Sequence, residues 1–423
     1  MSEEVNSKKV DRRKWFKIAG AGVLAVAVAG TGAYYYTSQP EEDTINVLVE
    51  STMTGAYGWA GQHQIEGTAL AVDEVNAAGG VLGKELRYTS IDDELNPSVA
   101  TRRVNDAIEK SDIKLIVGGT SGGINYPVNE ISKSKKIFYF IGNQSSYAIH
   151  KAEVLSPYTA SPMCMDVNAV AVNMDYMIEN FGKRWYILTV DYAWGHGMLE
   201  MEKNWLQKFG GELVGVDQFP LGTTDFSSLL GKVKSAKPDV MACNSGGTDQ
   251  LNWIKQSKEF GMMEEMTVHA PLTSMYTAIP AGAEIYADII CGTDFWYEIP
   301  QNYPGYQAAK EFREKYEGRF GAPPDAYGAN PYVAVWEWSK AVNRAGTLDP
   351  DTVRKELENN EFQYYKAPEY WRACDLQAVQ DWFLVKGKKP ENSKNKYDLF
   401  DVIGWGGREN PENYLPSCEE LGF

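Results

Sequence analysis

From residue 44 onward, short apolar runs alternate with longer segments whose apolar positions recur at helical spacing. Ile45–Glu50 reads as a strand and is followed by the turn Met53-Thr54-Gly55. The next segment sets Ala69, Leu70, Val72 and Val75 along one broad face, with Gln62, Glu66, Asp73 and Glu74 off it, which predicts an amphipathic helix. Asn76 through Gly80 stops that helix, because glycine suits the left-handed position at a helix end. Leu86–Ile91 is a second strand, ending in the acidic corner Asp92-Asp93-Glu94. Strand, turn, helix, strand is a βαβ opening and predicts a parallel sheet.

The rhythm continues with strands at Ile113–Val117 and Ile137–Ile141 and helices at Ala100–Ile108 and Tyr126–Lys133. A second series begins at helix Val167–Ile178. It runs through strands Trp185–Val190, Glu212–Phe219, Val240–Cys243, Met266–His269 and Ile289–Thr293. Helices at Tyr306–Tyr316 and Tyr332–Ala345 come last, and Lys386–Phe423 is a tail the pattern places only loosely. Two consecutive doubly wound series predict two Rossmann-like lobes rather than one large sheet.

Composition narrows the function. With 43% hydrophobic and 23% charged residues the chain is globular. Its 423 residues exceed one compact core. The formal charge of −16 argues against nucleic-acid binding, which wants a basic face. Twenty-five Tyr and 12 Trp are abundant, and those in turns after strands suit a ligand cleft. The five cysteines, Cys164, Cys243, Cys291, Cys374 and Cys418, have no metal spacing, so a zinc site is not expected. Cys374 and Cys418 flank the last segment and would form a bridge outside the cytoplasm. No dinucleotide loop, Walker lysine or HExxH occurs. Only His63, His150, His196 and His269 could serve imidazole chemistry. The balance favours binding over catalysis, with no cofactor.

Residues 1–43 read as an address. Asp11-Arg12-Arg13-Lys14-Trp15-Phe16-Lys17 precedes the uncharged run Ile18–Tyr36, the layout of an export signal or single anchor. The arginine pair followed by aromatics and a lysine is similar to the twin-arginine signal, with Trp15-Phe16 where Phe-Leu is usual. No cysteine precedes Cys164, so the lipid attachment of lipoproteins is not available. The expectation is an exported protein, periplasmic or at the cell surface. It meets the membrane only through this N-terminal segment, cleaved or kept as a tether.

The run from Gln62 to Leu95, with its NxxGG-like helix end and DD-type corner, resembles the type 1 periplasmic solute-binding proteins of ABC transporters. This is the leucine/isoleucine/valine and amide/urea-binding family. The resemblance covers nearly all of Ile45–Leu384. It implies two Rossmann-like lobes joined by a three-crossover hinge, with hinges near Tyr158–Ser161, Gly292–Phe295 and Tyr365–Arg372. Residues 44–160 plus 294–365 would form lobe one, and 161–293 plus 366–423 lobe two and the tail. It also implies a non-enzymatic receptor that captures a small organic solute, amino-acid-like, an amide or an aromatic or branched carboxylate, and passes it to ABC permease subunits. A ligand-sensing module of the same fold, acting on a signalling partner, is the alternative.

The candidate site residues follow strand ends. After Ile113–Val117, the glycine-rich Gly118–Asn125 presents backbone amides at a helix N-terminus, with Ser121, Gly122 and Gly123 suited to a carboxylate or amide. The competing reading is a tight turn that caps itself. In the next turn Asn143 and Ser145 match the family's ligand contacts, Ser145 serving equally as a helix cap. From the facing lobe come Tyr192 and Trp194, where the family has tyrosine in place of Trp194, then Ser245 and Thr273. Leu272 stands where amino-acid binders tend to have an acid for the ammonium group. That departure favours an aromatic or branched carboxylate, or an amide, because a buried ammonium without a counter-charge is costly. Tyr57, Trp59 and Phe295 complete the set, while Arg372, Asp375 and Gln377 are expected to fix the third crossover.

Replacing Arg12 and Arg13 together by lysine is expected to leave folded protein in the cytoplasm, read by cell fractionation. Normal export of the double variant would assign the general secretory route instead.

Overall fold

The computed structural model describes residues 44–423, so the expected export segment, residues 1–43, lies outside the described residues. Among the described residues no helix is long and apolar enough to cross a membrane.

Lobe one is built on a five-stranded sheet of β1 (Thr44–Ser51), β2 (Glu85–Asp92), β3 (Ile113–Gly118), β4 (Phe138–Ile141) and β5 (Thr159–Ala160). The spatial order is β2-β1-β3-β4-β5 and every pairing is parallel. Parallel sheets are covered on both faces, and side chains alternate between them. Val47 and Val49 of β1 point to the face covered by α1 (Gly58–Ala77), joining Leu70, Val72 and Val75. Leu48 points the other way, to Ala100 and Val104 of α2 (Pro97–Lys110) and Ile124 and Val128 of α3 (Gly122–Lys135).

Lobe two carries α4 (Asp166–Phe181), β6 (Arg184–Val190), α5 (Ala193–Lys208), β7 (Glu212–Phe219), α6 (Ser227–Ala236), β8 (Val240–Asn244), α7 (Gly247–Glu259), β9 (Thr267–Ala270), two short helices α8 (Met275–Ala278) and α9 (Gly282–Tyr286), and β10 (Ile290–Thr293). Trp185, Ile187, Val240 and Ala242 meet α4 and α5 on one face. Leu188, Val190, Met241 and Cys243 meet Leu230 of α6 and Trp253 and Ile254 of α7 on the other.

The chain then returns to lobe one with α10 (Tyr306–Phe320), α11 (Ala326–Ala345) and α12 (Pro350–Leu357). Lys315 and Tyr332 both reach Glu74 of α1, at 3.1 and 2.5 Å. A small antiparallel sheet of β11 (Glu361–Phe362), β12 (Glu369–Trp371) and β13 (Ala378–Val379) leads back to lobe two. There β14 (Trp382–Gly387) and β15 (Phe400–Gly406) extend its sheet antiparallel, giving the order β15-β14-β10-β9-β8-β6-β7.

α2, α3 and α11 each begin three or more residues earlier than their periodicity predicts. α11 starts at Ala326 and not Tyr332, because the buried Asp325 caps it by accepting from the Tyr327 and Gly328 amides at 3.0 and 3.2 Å. Pro331 is accommodated inside the helix rather than ending it. α3 likewise starts at Gly122, ahead of Tyr126, and runs through Pro127. The tail is anchored by a disulfide between Cys374 and Cys418, 44 residues apart, and by Tyr414, whose hydroxyl donates to Asp175 at 2.7 Å.

Removing that bridge as Cys374→Ala/Cys418→Ala is expected to lower stability by roughly 4 kcal/mol for a closed loop of this length. Urea unfolding of oxidised wild type and the double variant measures it, and coincident transitions would show that the tail needs no covalent tie.

Candidate functional site

The C-terminal ends of parallel strands gather the loops of each lobe, the place where open α/β sheets hold ligands. In lobe one, β3 ends at Gly118 and Gly119, with φ of +133° and +88°. A side chain at Gly118 would run into the carbonyl of Glu50, and the Gly119 amide donates to that carbonyl at 2.7 Å. The loop is therefore laid across the end of β1, which only glycine permits.

Ser121 then takes the N-cap position of α3 in extended conformation. Its carbonyl accepts from the Ile124 and Asn125 amides at 3.0 Å each, but its hydroxyl makes no cap hydrogen bond. The Ser121 hydroxyl and the Gly122 and Gly123 amides are thus left open at a helix N-terminus, a favourable position for an anion. Beneath them the scaffold is fully cross-linked. Gln64 of α1 donates to the Gly119 and Gly142 carbonyls at 2.8 and 3.1 Å, and itself accepts from Ser51 at 2.5 Å. Tyr139 donates to Asn125 at 3.1 Å, and Asn125 to Asn143 at 3.0 Å.

Ser145 departs from the sequence reading. It is fully buried, donates to Gln377 at 3.4 Å and meets His150 Nε2 at 3.0 Å, so its hydroxyl is engaged inside the protein. The same His150 reaches Asp375 at 2.9 Å, and Arg372 closes on Asp375 at 2.5 and 2.8 Å. Burial works against charge at Asp375, yet Arg372 and His150 hold its carboxyl well below the usual range. Gln377 donates to the Ser161 and Met163 carbonyls at 3.2 and 2.9 Å. Arg372, Asp375 and Gln377 therefore tie the third connection between the lobes to the first.

In lobe two, Tyr192 is 42% exposed and stacks on Trp194 with ring centroids 6.2 Å apart. Ser245 is enclosed and accepts from the Trp253 indole at 2.6 Å. Thr273 donates to Gln250 at 3.4 Å, and Gln250 donates to the Leu272 carbonyl at 2.8 Å. Phe295 is buried edge-on against Tyr365 at 4.9 Å and Phe312 at 6.2 Å, within the core where the chain leaves lobe two. These three side chains have internal partners that the sequence pattern does not reveal.

Tyr57 and Trp59 approach from lobe one, Trp59 edge-on to Tyr327 at 4.9 Å. Burial and then the Asp249 charge raise the Tyr57 hydroxyl above its ordinary value. Burial, Tyr57 and Asp249 push Tyr192 up to about 12. Tyr57 of one lobe thus neighbours Tyr192 and Asp249 of the other. Asp249 and Tyr327 are additions to the sequence-derived set. Asp249 follows a serine and two glycines after β8, much as Ser121 is followed by two glycines after β3, and that parallel could have marked it.

The histidines have structural partners. His269 is buried against the Ile290 carbonyl at 3.1 Å, and burial pushes its ring down to about 4. His63 pairs with Glu66 at 3.0 Å, and the exposed His196 with Asp191 at 2.8 Å. Among the described residues no group of three or more His, Cys, Asp or Glu is arranged to hold a metal ion.

Two α/β lobes built on separate sheets define a two-lobed α/β protein. Residues 44–394 match the family described as periplasmic binding protein, and the chain belongs to that family, the non-enzymatic solute-binding proteins of ABC transporters. Its location is accordingly extracytoplasmic. The chain is 24% identical over 362 residues to the Leu/Ile/Val-binding protein homolog 2 of Brucella abortus (strain 2308), covering 84% of this chain and 93% of that protein. It is similar in fold to a branched chain amino acid ABC transporter periplasmic ligand-binding protein of Burkholderia xenovorans. The TM-score is 0.81 at 24% identity, over 88% of this chain and 97% of the other. A solute-binding protein of Rhodopseudomonas palustris in complex with 3,4-dihydroxybenzoic acid matches with TM-score 0.73 at 20% identity, over 86% of this chain and 97% of the other.

One buried acid in lobe two sets a pH dependence. Burial raises Glu202 to about 8, against the opposing hydrogen bond from Asn244 at 2.6 Å. The folded state then holds a proton that the unfolded chain releases near pH 4.5, so stability falls as pH rises from there through about 8. Glu202→Gln is expected to remove that slope, gaining on wild type in thermal melts at alkaline pH and not at acidic pH. Parallel curves for the two proteins would show that Glu202 is ionised when folded.

Proposed function

We propose that this protein captures a small organic carboxylate or amide between its lobes and delivers it to ABC permease subunits. The lobes are taken as residues 44–160 plus 294–365, and 161–293 plus 366–423. The observation that carries the reading is the open Ser121 hydroxyl beside the Gly122 and Gly123 amides at the start of α3. A carboxylate or amide oxygen would complete all three donors.

Asn143 borders this head-group site, while Tyr57, Trp59, Tyr192 and Trp194 supply apolar ring faces for the remainder of the ligand. Leu272 in place of an acid favours a ligand with aromatic or branched carboxylate character over a standard α-amino acid. The 3,4-dihydroxybenzoic acid bound by the Rhodopseudomonas palustris protein is a ligand of that chemistry. Delivery requires export, and the arginine pair at Arg12 and Arg13 fits the twin-arginine route, the segment being cleaved or retained as an anchor. Ser145, Ser245, Thr273 and Phe295, engaged internally, act as framework for the ligand-facing loops.

Calorimetry with leucine, benzoate and 3,4-dihydroxybenzoate tests this. A hydrogen bond to a charged group contributes about 1.5–3 kcal/mol, so Ser121→Ala is expected to weaken binding roughly ten- to a hundredfold. Trp194→Ala is expected mainly to speed release in stopped-flow fluorescence, since it loosens the closed state. Unchanged affinity in Ser121→Ala would move the head group to another loop.

A further inference from the structure

The end of β1 carries a carboxyl group into a place hostile to charge. Glu50 is 0% exposed and neither of its carboxyl oxygens has a hydrogen-bond donor. It lies beside the end of β2, where Ser51 pairs in register with Asp92 and the Asp93 amide donates to the Ser51 carbonyl at 3.0 Å. Alternation along the strands puts Glu50 on the same face as Leu48, and Asp93 on the same face as Ile91. Asp93 is also 0% exposed, and its Oδ2 has no donor. The remaining titratable group turned toward the pair is the buried Tyr139 of β4, whose hydroxyl donates to Asn125 and to the Gly118 carbonyl at 3.1 and 3.3 Å. Among the described residues no Lys, Arg or His side chain pairs with Glu50 or Asp93. Two adjacent buried carboxylates without a cation are strongly disfavoured, and a shared proton relieves both the repulsion and the desolvation.

We propose that Glu50 is a positioning residue of the ligand site: it stays a neutral acid, donates its proton to Asp93, and the resulting pair holds the Gly118–Ser121 loop ready for an anionic group. The connections are short. Asp93 Oδ1 accepts from Thr52 Oγ1 at 2.6 Å and from the Leu95 amide at 2.6 Å. Thr52 meets the Thr120 hydroxyl, inside the loop. The Glu50 carbonyl receives the Gly119 amide at 2.7 Å. The pair therefore forms a floor under the donors offered to the ligand. Burial first, then the Asp93 charge and hydrogen bond, push the Glu50 carboxyl well above the usual range, in agreement with this geometry.

A raised acid keeps its proton at low pH and loses it as pH rises. An anionic ligand should consequently bind with constant affinity until the Glu50 proton dissociates. Above that point a second buried charge lies beneath the loop and affinity falls, by up to about tenfold per pH unit for one linked proton. The ligand part of this inference rests on the carboxylate-binding role proposed for the Ser121 loop.

Three measurements on wild type and Glu50→Gln test it, the amide being isosteric and unable to ionise. The infrared difference between the two proteins at neutral pH should contain the carbonyl band of an unionised carboxylic acid, and a carboxylate band in its place would overturn the proposal. Hydrogen exchange of the loop amides, without ligand, should show protection falling at alkaline pH in wild type beyond its fall in Glu50→Gln. Equal profiles would sever Glu50 from the loop. Calorimetry with benzoate should show wild-type affinity declining toward alkaline pH and a flat profile in Glu50→Gln; identical profiles would remove the linkage. If benzoate and leucine both fail to bind wild type, the carboxylate role of the loop is lost, while the first two measurements still decide whether Glu50 is a neutral acid that positions it.

Discussion

Asp294 joins three stretches of chain that pass between the lobes at widely separated points in the sequence. Its Oδ1 accepts from the Cys164 amide at 3.0 Å, just after the first passage. Its own backbone begins the second, and its Oδ2 pairs with Lys366 of the third at 3.0 Å. Lys366 and Asp294 are both completely buried, and Lys366 also donates to Gln380 and lies over the Tyr365 ring at 5.2 Å. Burial alone would push the Lys366 ammonium down, but Asp294 and its other acidic neighbours leave it raised and therefore charged. A buried ion pair contributes little net stability over an apolar substitute, yet removing one partner strands the other charge at a cost of several kcal/mol. Its contribution is to hold the three passages together, since separating them would strand Asp294 or Lys366 without its partner. The relation between the lobes, and so the shape of the cleft, depends on that arrangement.

The lobes themselves divide the work by chemistry. Lobe one offers hydrogen-bond donors on a rigid floor, in which Gln64, Asn125 and Tyr139 bind the loops of β1, β3 and β4 to one another. Lobe two offers ring faces, and Tyr192 remains substantially exposed. Each floor contains a dry acid whose pKa burial has raised, Glu50 in lobe one and Glu202 in lobe two. Keeping these acids neutral leaves the loops above them free of an added negative charge, which matters for a chain of net charge −16 that is read as binding anions.

The strand-and-helix order was legible because each element obeys a local period, and every parallel strand of the two large sheets except the short β5 falls within two residues of its periodic run, while the antiparallel β14 and β15 of the tail were not read. The site was legible only where local chemistry decides it. Ser121, Gly122 and Gly123, the proposed head-group loop, stand out because consecutive glycines follow a buried strand and open a helix. Ser145 could not be separated from them by sequence, since its partners His150 and Gln377 are set by tertiary packing, Gln377 lying 232 residues away. Ser245 is removed from the cleft by Trp253, eight residues further on, where a helix turn brings the indole back. The helix read from Tyr332 starts instead after Asp325 and runs through Pro331, since a strong cap and a buried face outweigh one lost amide.

Asp249 shows how tertiary structure changes the chemistry assigned from single positions. Sequence comparison with the family directs attention to Leu272, where an acid is absent, and so to ligands without an ammonium group. Asp249 reaches the aromatic cluster from a different turn, on the helix after β8, with one oxygen held by the Gly222 amide at 2.9 Å. Its charge is felt by Tyr57 and Tyr192, one from each lobe, so it bears on the surface where the lobes meet. A carboxylate there would repel the carboxylate end of a ligand, in keeping with the head-group placement proposed for the Ser121 loop. On the proposed reading the two lobes differ in electrostatics, with amides and a helix N-terminus on lobe one and an acid among tyrosines on lobe two. That opposition would orient a carboxylate ligand before any shape of pocket is considered.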